Sequence, residues 1–200
     1  MKKLQNRLDQ VLEKLESPEF LTNKELGGEI GFYIFDYAAE HELAVREHIT
    51  FITKKLNDRG KNFVSINLFE MLIELLKSRK LLDRTFKMQF EKGDDALFKA
   101  LKGPLEQNRF AEFIVKQANL TLTESDGSGE EGKKCDFIIL HGLGSVWPIV
   151  RGHGLLNALH AKVGNIPTVM FYPGEYDGAS LKPFGQIESN NYYRAFKLVH

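Results

Sequence analysis

The sequence predicts an α/β fold, a mainly parallel sheet flanked by helices, with a helical insertion in the middle. Two observations lead to this prediction. Helical periodicity alternates with short apolar runs over the first 80 residues, and the same alternation returns after residue 136. Between about 81 and 120, apolar residues recur only at helical spacing. Since parallel strands need long crossover connections, usually helices, this order favours a parallel sheet over hairpins. We expect a single domain over residues 1–200.

The N-terminal elements follow from the spacing of apolar residues. Leucines and a valine recur every three or four positions in the first 16 residues, which predicts an amphipathic helix that ends at Ser17–Pro18. Residues 30–37 (IGFYIFDY) have the branched and aromatic density of a buried strand. A helix over 40–59, stopped at Gly60, a strand over 62–68 and a helix from Phe69 complete this part.

The rest of the chain begins with the helical insertion, about 81–120, which Gly103–Pro104 interrupts. The next stretch, 124–134 (ESDGSGEEGKK), contains no apolar residue, and we expect a flexible loop there. The remaining elements are expected in this order: a strand over 136–140, a helix over 145–163, a strand over 167–172, a turn at PGEYDG (173–178) and a final strand over 192–199.

Charge and cysteine content restrict the class of protein. The chain has 27 basic and 27 acidic residues, so it carries no net charge that would hold a nucleic-acid backbone or an anionic membrane. A single cysteine, Cys135, excludes an internal disulfide and a cysteine-rich zinc site. No apolar stretch after the N-terminus is long enough for a signal peptide or a membrane span. We therefore expect a cytoplasmic protein.

Polar residues follow the predicted strands where each strand ends. Ligands of open parallel sheets bind beyond the carboxyl ends of the strands, so these residues are candidates for one shared site. Ordinary turn residues are the competing interpretation, since strand ends always carry polar groups. The candidates are Asp36, Asn67, His141, Gly142, Tyr172, Gly174, Glu175 and Asp177.

The segment from His141 to Ser145 (HGLGS) links a strand to a helix, a place where backbone N–H groups and the helix dipole favour an anion. No lysine precedes Ser145, and the chain contains no GxxxxGK[ST] motif. We therefore prefer a tight turn in which Ser145 caps the helix and Pro148 occupies its first turn.

The remaining polar residues favour structural roles. Arg151 and His153 point to different faces of a helix, and an ion pair of Arg151 with Glu175 or Asp177 is the better interpretation. Those two carboxylates lie in a glycine-rich turn, which does not fix the separation that an acid–base pair needs. Histidine spacing predicts no metal site, with His41 and His48 on one solvated helix face, and Cys135 is read as structural. We expect no cofactor and no enzymatic activity.

Several segments together resemble one protein family. They are GSVWPIVR (144–151), HGLLN (153–157), FYPGEYDG (171–178), NNYYRAF (190–196), SPEFL (17–21) and FYIFDY (32–37). In these runs the chain resembles the BrxB family of bacterial phage-exclusion (BREX) systems. The resemblance spans nearly the whole chain, except that 81–134 matches only in helical character.

The resemblance implies a non-catalytic adaptor or assembly subunit of an antiphage complex, which binds the alkaline-phosphatase-like component PglZ and possibly other BREX proteins. It implies no catalytic residues. The aromatic segments 171–178 and 190–196, with Tyr192 and Arg194, are candidate partner surfaces, although tyrosine and phenylalanine at strand positions also commonly pack in cores. The alternative is a degenerate nucleotide- or nucleic-acid-sensing domain that uses the 141–145 loop and Asp36. Direct DNA binding is disfavoured by the zero net charge.

Overall fold

The computed structural model describes residues 2–22, 31–120, 135–187 and 195–200. The helices are α1 (Lys2–Glu16), α2 (Pro18–Thr22), α3 (Glu42–Asp58), α4 (Leu68–Ser78), α5 (Leu82–Leu101), α6 (Gln107–Gln117) and α7 (Gly152–Val163). The strands are β1 (Phe32–Tyr37), β2 (Phe63–Asn67), β3 (Phe137–His141), β4 (Thr168–Tyr176), β5 (Leu181–Pro183) and β6 (Phe196–Lys197).

The strands form one mostly parallel sheet in the order β2-β3-β4-β1-β6, and β5 pairs antiparallel with the far end of β4. The four long strands that the sequence predicted pair in parallel, as expected. In this register Asp36 of β1 lies opposite Tyr172 of β4, and Asn67 of β2 lies opposite His141 of β3. The α/β fold class is therefore confirmed.

Helices cover both faces of the sheet. β1 shows this, since its alternate side chains point to opposite faces and both sets are buried under helices. Tyr33, Phe35 and Tyr37 pack with the buried faces of α1 and α3. Phe32 and Ile34 pack with α4, α6 and α7 on the other side. All six residues of β1 are buried, which explains why five of them are apolar or aromatic; the exception is Asp36.

The helical insertion consists of α5 and α6, and the predicted break at Gly103–Pro104 separates them. Gly93 has φ of +76°, a left-handed conformation that glycine adopts without strain, and it divides α5 into two limbs. The Glu106 side chain caps α6, because its carboxylate accepts hydrogen bonds from the backbone N–H groups of Asn108 and Arg109.

The helix predicted over 145–163 is wrong in its first half. A short 3-10 turn covers Leu143–Ser145, and α7 begins only at Gly152. Proline has no N–H and disfavours the helical conformation of the residue before it, here Trp147, so the chain turns through 146–150 before it becomes helical. Ser145 therefore does not cap a helix.

The segment after the predicted strand 167–172 also differs from the prediction. β4 continues to Tyr176, so residues 173–176 extend the strand. Gly174 to Tyr176 pair with β5, a strand that the sequence did not reveal. The turn itself begins at Asp177. Of the predicted strand 192–199, the structure has β6 at Phe196–Lys197, while 192–194 lie outside the described residues. The predicted loop 124–134 also lies outside them. Among the helices that the structure describes, none has the length and apolar character to span a membrane.

Candidate functional site

Asp36 lies near the carboxyl end of β1, at the centre of an ion cluster. The Arg7 guanidinium of α1 donates to Asp36 Oδ1 (2.7 Å), and Lys197 Nζ donates to Oδ2 (3.2 Å). The backbone N–H of Tyr176 also donates to Oδ2 (3.1 Å), and Arg7 reaches the carbonyl oxygen of Val199 (3.2 Å). We call these five residues the Asp36 cluster. It joins the first helix, the central strands and the last residues of the chain.

The electrostatics of the Asp36 cluster favour a fixed carboxylate. Burial alone would raise the pKa of Asp36, but the hydrogen bond from Tyr176 and those from Arg7 and Lys197 together hold that pKa below its ordinary value. The Arg7 guanidinium also stacks on the Phe35 ring, 4.7 Å from its centroid. The carboxylate is thus engaged by groups of its own chain.

A second polar group lies at the same edge of the sheet, on the side covered by α3. The Tyr37 hydroxyl donates to Glu42 Oε2 (2.6 Å), and Arg46 Nε donates to Glu42 Oε1 (2.9 Å). Arg46 Nη2 then donates to Ser145 Oγ (2.9 Å). We call these four residues the Glu42 network. It ties the start of α3 to the turn that follows β3.

His141, the last residue of β3, is half-buried beside the Glu42 network. Burial lowers its pKa to about 4; the Glu42 carboxylate acts in the opposite direction, and the Arg46 cation adds to the lowering. The imidazole is therefore neutral at pH 7. No hydrogen bond joins it to Ser145, so these two residues do not form the nucleophile–base pair of a hydrolase in this structure.

The low pKa of His141 predicts a pH dependence of stability. In the unfolded chain a histidine takes up a proton near pH 6.5, whereas folded His141 does so only near pH 4. The unfolded state therefore binds more protons between these values, and the free energy of unfolding falls as the pH is lowered through this window. We expect His141→Gln to remove this contribution. The free energy of unfolding, measured with urea, should therefore fall less between pH 7 and pH 4.5 in this variant than in the wild type. His200→Gln, at the exposed end of the chain, is the control; equal pH slopes for all three proteins would contradict the assignment.

The two carboxylates of the predicted turn have different surroundings. Asp177 Oδ1 accepts hydrogen bonds from the backbone N–H groups of Ala179 and Ser180, and Oδ2 accepts one from the Ser180 hydroxyl. The Ser180 contacts lead the causes that lower the pKa of Asp177 to about 2. The turn interpretation is confirmed for Asp177. Glu175 is exposed in β4, opposite Lys182, so the turn interpretation is wrong for Glu175.

Arg151 and His153 flank the start of α7. Arg151 is exposed, and no salt bridge joins it to Glu175 or Asp177, so the predicted ion pair is wrong. His153 is half-buried, and its pKa is lowered by burial and by the adjacent Arg151 cation. Tyr192 and Arg194 lie outside the described residues.

The structure brings together some of the predicted candidates and adds others. Asn67 and His141 are neighbours, and the carboxamide of Asn67 caps α4 by accepting from the N–H groups of Phe69 and Glu70. Phe171, Tyr172 and Tyr176 are almost completely buried, which favours the core interpretation of 171–178 over a partner surface. His41 and His48 are both half-buried rather than solvated, and burial leads the causes that lower the pKa of His48.

Sequence reasoning missed the partners of the candidates, Arg7, Glu42, Arg46 and Lys197. The four-residue spacing of Glu42 and Arg46 on the predicted helix was a usable signal. No pattern in the neighbouring sequence points to Arg7 or Lys197 as partners of Asp36. Within the described ranges, no three histidine, cysteine, aspartate or glutamate side chains are grouped so as to hold a metal ion. The Cys135 thiol, whose pKa burial raises, donates to the carbonyl oxygen of Phe137 (3.2 Å).

Comparison with known proteins places the chain in a family. The sequence profile described as "BREX protein BrxB" matches residues 64–198. A BREX protein BrxB from Escherichia coli O9:H4 (strain HS) is 41% identical over 196 residues, which cover 98% of this chain and 92% of that protein. One from Bacillus cereus (strain H3081.97) is 38% identical over 200 residues, 100% of this chain and 99% of that protein.

A weaker similarity is to the phosphoribosylformylglycinamidine synthase subunit PurQ of Thermotoga maritima (strain ATCC 43589 / DSM 3109 / JCM 10099 / NBRC 100826 / MSB8). The two are 27% identical over 169 residues, which cover 82% of this chain and 62% of that protein. No solved structure matches the chain. The profile covers well over half of the chain, and both BrxB relatives are matched along nearly their whole length. The chain belongs to the BrxB family of BREX proteins.

Proposed function

We propose that this protein is a non-catalytic adaptor subunit of a BREX defence complex and that it binds the PglZ-like component. One observation carries the proposal beyond family membership. Phe86 and Phe90, on the first limb of α5, are 58% and 93% exposed. Aromatic side chains are enriched among the residues that dominate the energy of protein interfaces, and their exposure is costly in an isolated chain.

The two phenylalanines form a continuous apolar stripe. Residues four apart lie on the same side of a helix, so the rings of Phe86 and Phe90 are adjacent on the surface of α5. Leu82, half-buried, extends the stripe by one turn toward the domain core. The salt bridge between Lys87 and Glu91 (3.8 Å) lies beside it. This is the arrangement of an apolar contact with a polar rim.

The polar clusters support the non-catalytic part of the proposal. The Asp36 carboxylate accepts three hydrogen bonds from its own chain, and the Glu42 carboxylate accepts two. A general base needs a carboxylate that is free to take a proton from a substrate. Both clusters instead tie separate elements of the chain together.

Co-purification with the PglZ-like protein of the same system tests the proposal. We expect the wild-type chain to elute with this partner in size-exclusion chromatography at micromolar concentration. Phe86→Asp and Phe90→Asp together should weaken the affinity at least about tenfold, because a charge replaces buried aromatic area at the interface. Phe51→Asp is the matched control, since Phe51 is 50% exposed but lies on α3, on the opposite side of the sheet. Separate elution of the wild-type chain and its folded partner at low salt would end the adaptor proposal.

The nucleotide-sensing alternative has less support from the geometry. It needs Asp36 and the 141–145 loop, yet Asp36 is engaged in its cluster and Ser145 Oγ already accepts from Arg46. A ligand that binds only the folded state raises the melting temperature once its concentration exceeds its dissociation constant. A clear increase with millimolar ATP or GTP, abolished by Ser145→Ala, would move the alternative ahead.

A further inference from the structure

The helical insertion contains an apolar groove on the side of α5 opposite Phe86 and Phe90. Its volume is about 230 Å³, and it is open to solvent. Residues of both limbs of α5 line it, so the groove depends on the kink at Gly93. The lining residues are Leu81, Arg84, Thr85, Met88, Leu97, Ala100, Leu101 and Pro104. We call this the α5 groove.

One basic side chain lines the α5 groove, and three further basic residues lie next to its lining residues in the chain or contact them. Arg84 lines it, and Arg79 Nη1 donates to the carbonyl oxygen of Pro104 (2.9 Å) at one end. Lys80 and Lys102 flank the lining residues Leu81 and Leu101 in the chain. All four are exposed, and no salt bridge joins any of them to a carboxylate among the described residues.

This concentration of positive charge is local. Between Lys77 and Lys87 the chain has five basic residues (Lys77, Arg79, Lys80, Arg84 and Lys87) and one acidic residue, Asp83. The whole chain, by contrast, has equal numbers of acidic and basic residues. Of these five, Lys87 is paired with Glu91. Cations close to an apolar surface favour an anionic partner, because the attraction is strongest where apolar walls exclude water.

We propose that the α5 groove binds an acidic amphipathic helix of a partner protein. The proposal rests on the adaptor role, and it names the surface and the chemistry of the contact. Apolar residues of the helix at positions i, i+3 and i+4 enter the groove between Leu81, Met88 and Leu97. Its aspartates and glutamates face the basic rim.

Two other occupants fit less well. Small-molecule sites usually enclose about 300–1,000 Å³, more than this open groove provides. Single-stranded nucleic acid needs aromatic faces on which bases stack, and none of the lining residues is aromatic. Aliphatic walls match aliphatic side chains instead.

Site-specific photo-crosslinking tests the proposal in the intact complex. Ala100 lines the groove and is exposed, so p-benzoylphenylalanine can replace it without disturbing the core. The full-length chain is co-expressed with the other proteins of its BREX system, irradiated, and the crosslinked peptide is mapped by mass spectrometry. We expect a crosslink to a partner segment rich in aspartate and glutamate with apolar residues at helical spacing.

A matched pair of charge reversals tests the electrostatic part. Arg84→Glu places a negative charge in the groove, whereas Lys99→Glu makes the same change on the far side of the second limb. We expect Arg84→Glu to reduce crosslinking at least about tenfold and Lys99→Glu to leave it within a factor of two. Circular dichroism melting of both variants checks that the fold is unchanged.

The possible outcomes separate this proposal from the adaptor proposal. Crosslinks to a basic or uncharged segment, to nucleic acid or to a second copy of this chain would overturn the groove assignment. Absence of a crosslink while the PglZ-like protein still co-purifies would overturn the groove and leave the adaptor role standing. A crosslink to an acidic helix of a different BREX component, with the PglZ-like protein eluting separately, would support the groove and reject the PglZ pairing.

Discussion

Gly174→Ala is expected to destabilise the protein by more than about 3 kcal/mol, because no space exists for a side chain at this position. A Cβ atom on Gly174 would overlap the carbonyl oxygen of Lys182 and lie 2.7 Å from Tyr172 Cε1 and 3.0 Å from the backbone nitrogen of Phe184. Two of these three atoms belong to the backbone and cannot rotate away. The β4–β5 pairing would have to separate.

Urea unfolding of Gly174→Ala beside Gly103→Ala measures this effect. A Cβ atom on Gly103 would meet no atom within 4 Å, so this control is expected to stay within about 0.5 kcal/mol of the wild type. If the two variants unfold at the same urea concentration, the close approach of β5 to Gly174 is not present in solution.

Asp36→Asn is expected to cost about 3 kcal/mol. The change removes the negative charge from a site where Arg7 and Lys197 converge and where the carboxylate side chain is only 11% exposed. Removal of one partner of a buried ion pair leaves the remaining charges without compensation, and such changes cost roughly 3–5 kcal/mol. We choose the lower end because Lys197 is partly exposed and can rotate toward water.

The control for Asp36→Asn is Glu112→Gln, which breaks the exposed salt bridge to Lys162 and should cost at most about 1 kcal/mol. Asp36 also makes the free energy of unfolding depend on pH in the acid range, because its pKa is lower in the folded state than in the unfolded chain. Its stabilising contribution is present above the unfolded pKa of about 3.9 and is lost as the pH falls through the lower folded value. Equal stability losses for the two variants would show that the Asp36 cluster is solvated.

The parallel sheet could be predicted from the sequence because its signals are local. Each of the four long strands is a short apolar run, and each is separated from the next by enough helix to cross over. The errors arose where a local signal was ambiguous or too short. Proline at 148 is compatible with a first helical turn, yet the chain turns there instead, and β5 has only three residues. No periodicity can be recognised in three residues.

The candidate site could be predicted only in part, for a related reason. The rule on strand ends identified Asp36 and His141 correctly as residues of one sheet edge. Their environments depend on Arg7, which precedes Asp36 by 29 residues, and on Lys197, which follows it by 161. Neither separation has a periodicity that a single sequence reveals. The same limit applies to the α5 groove, which depends on the kink at Gly93.

The position of β1 in the sheet also affects the order in which the chain becomes structured during synthesis. β1 is among the first elements to leave the ribosome, but its two neighbours are β4 and β6, which begin at residues 168 and 196. The strand therefore has no hydrogen-bonding partner in the sheet until β4 has been translated. The Asp36 cluster forms later still, because one acceptor of the Arg7 guanidinium is the carbonyl oxygen of Val199, which follows β6. Until β4 is available, β1 is open to non-native strand pairing.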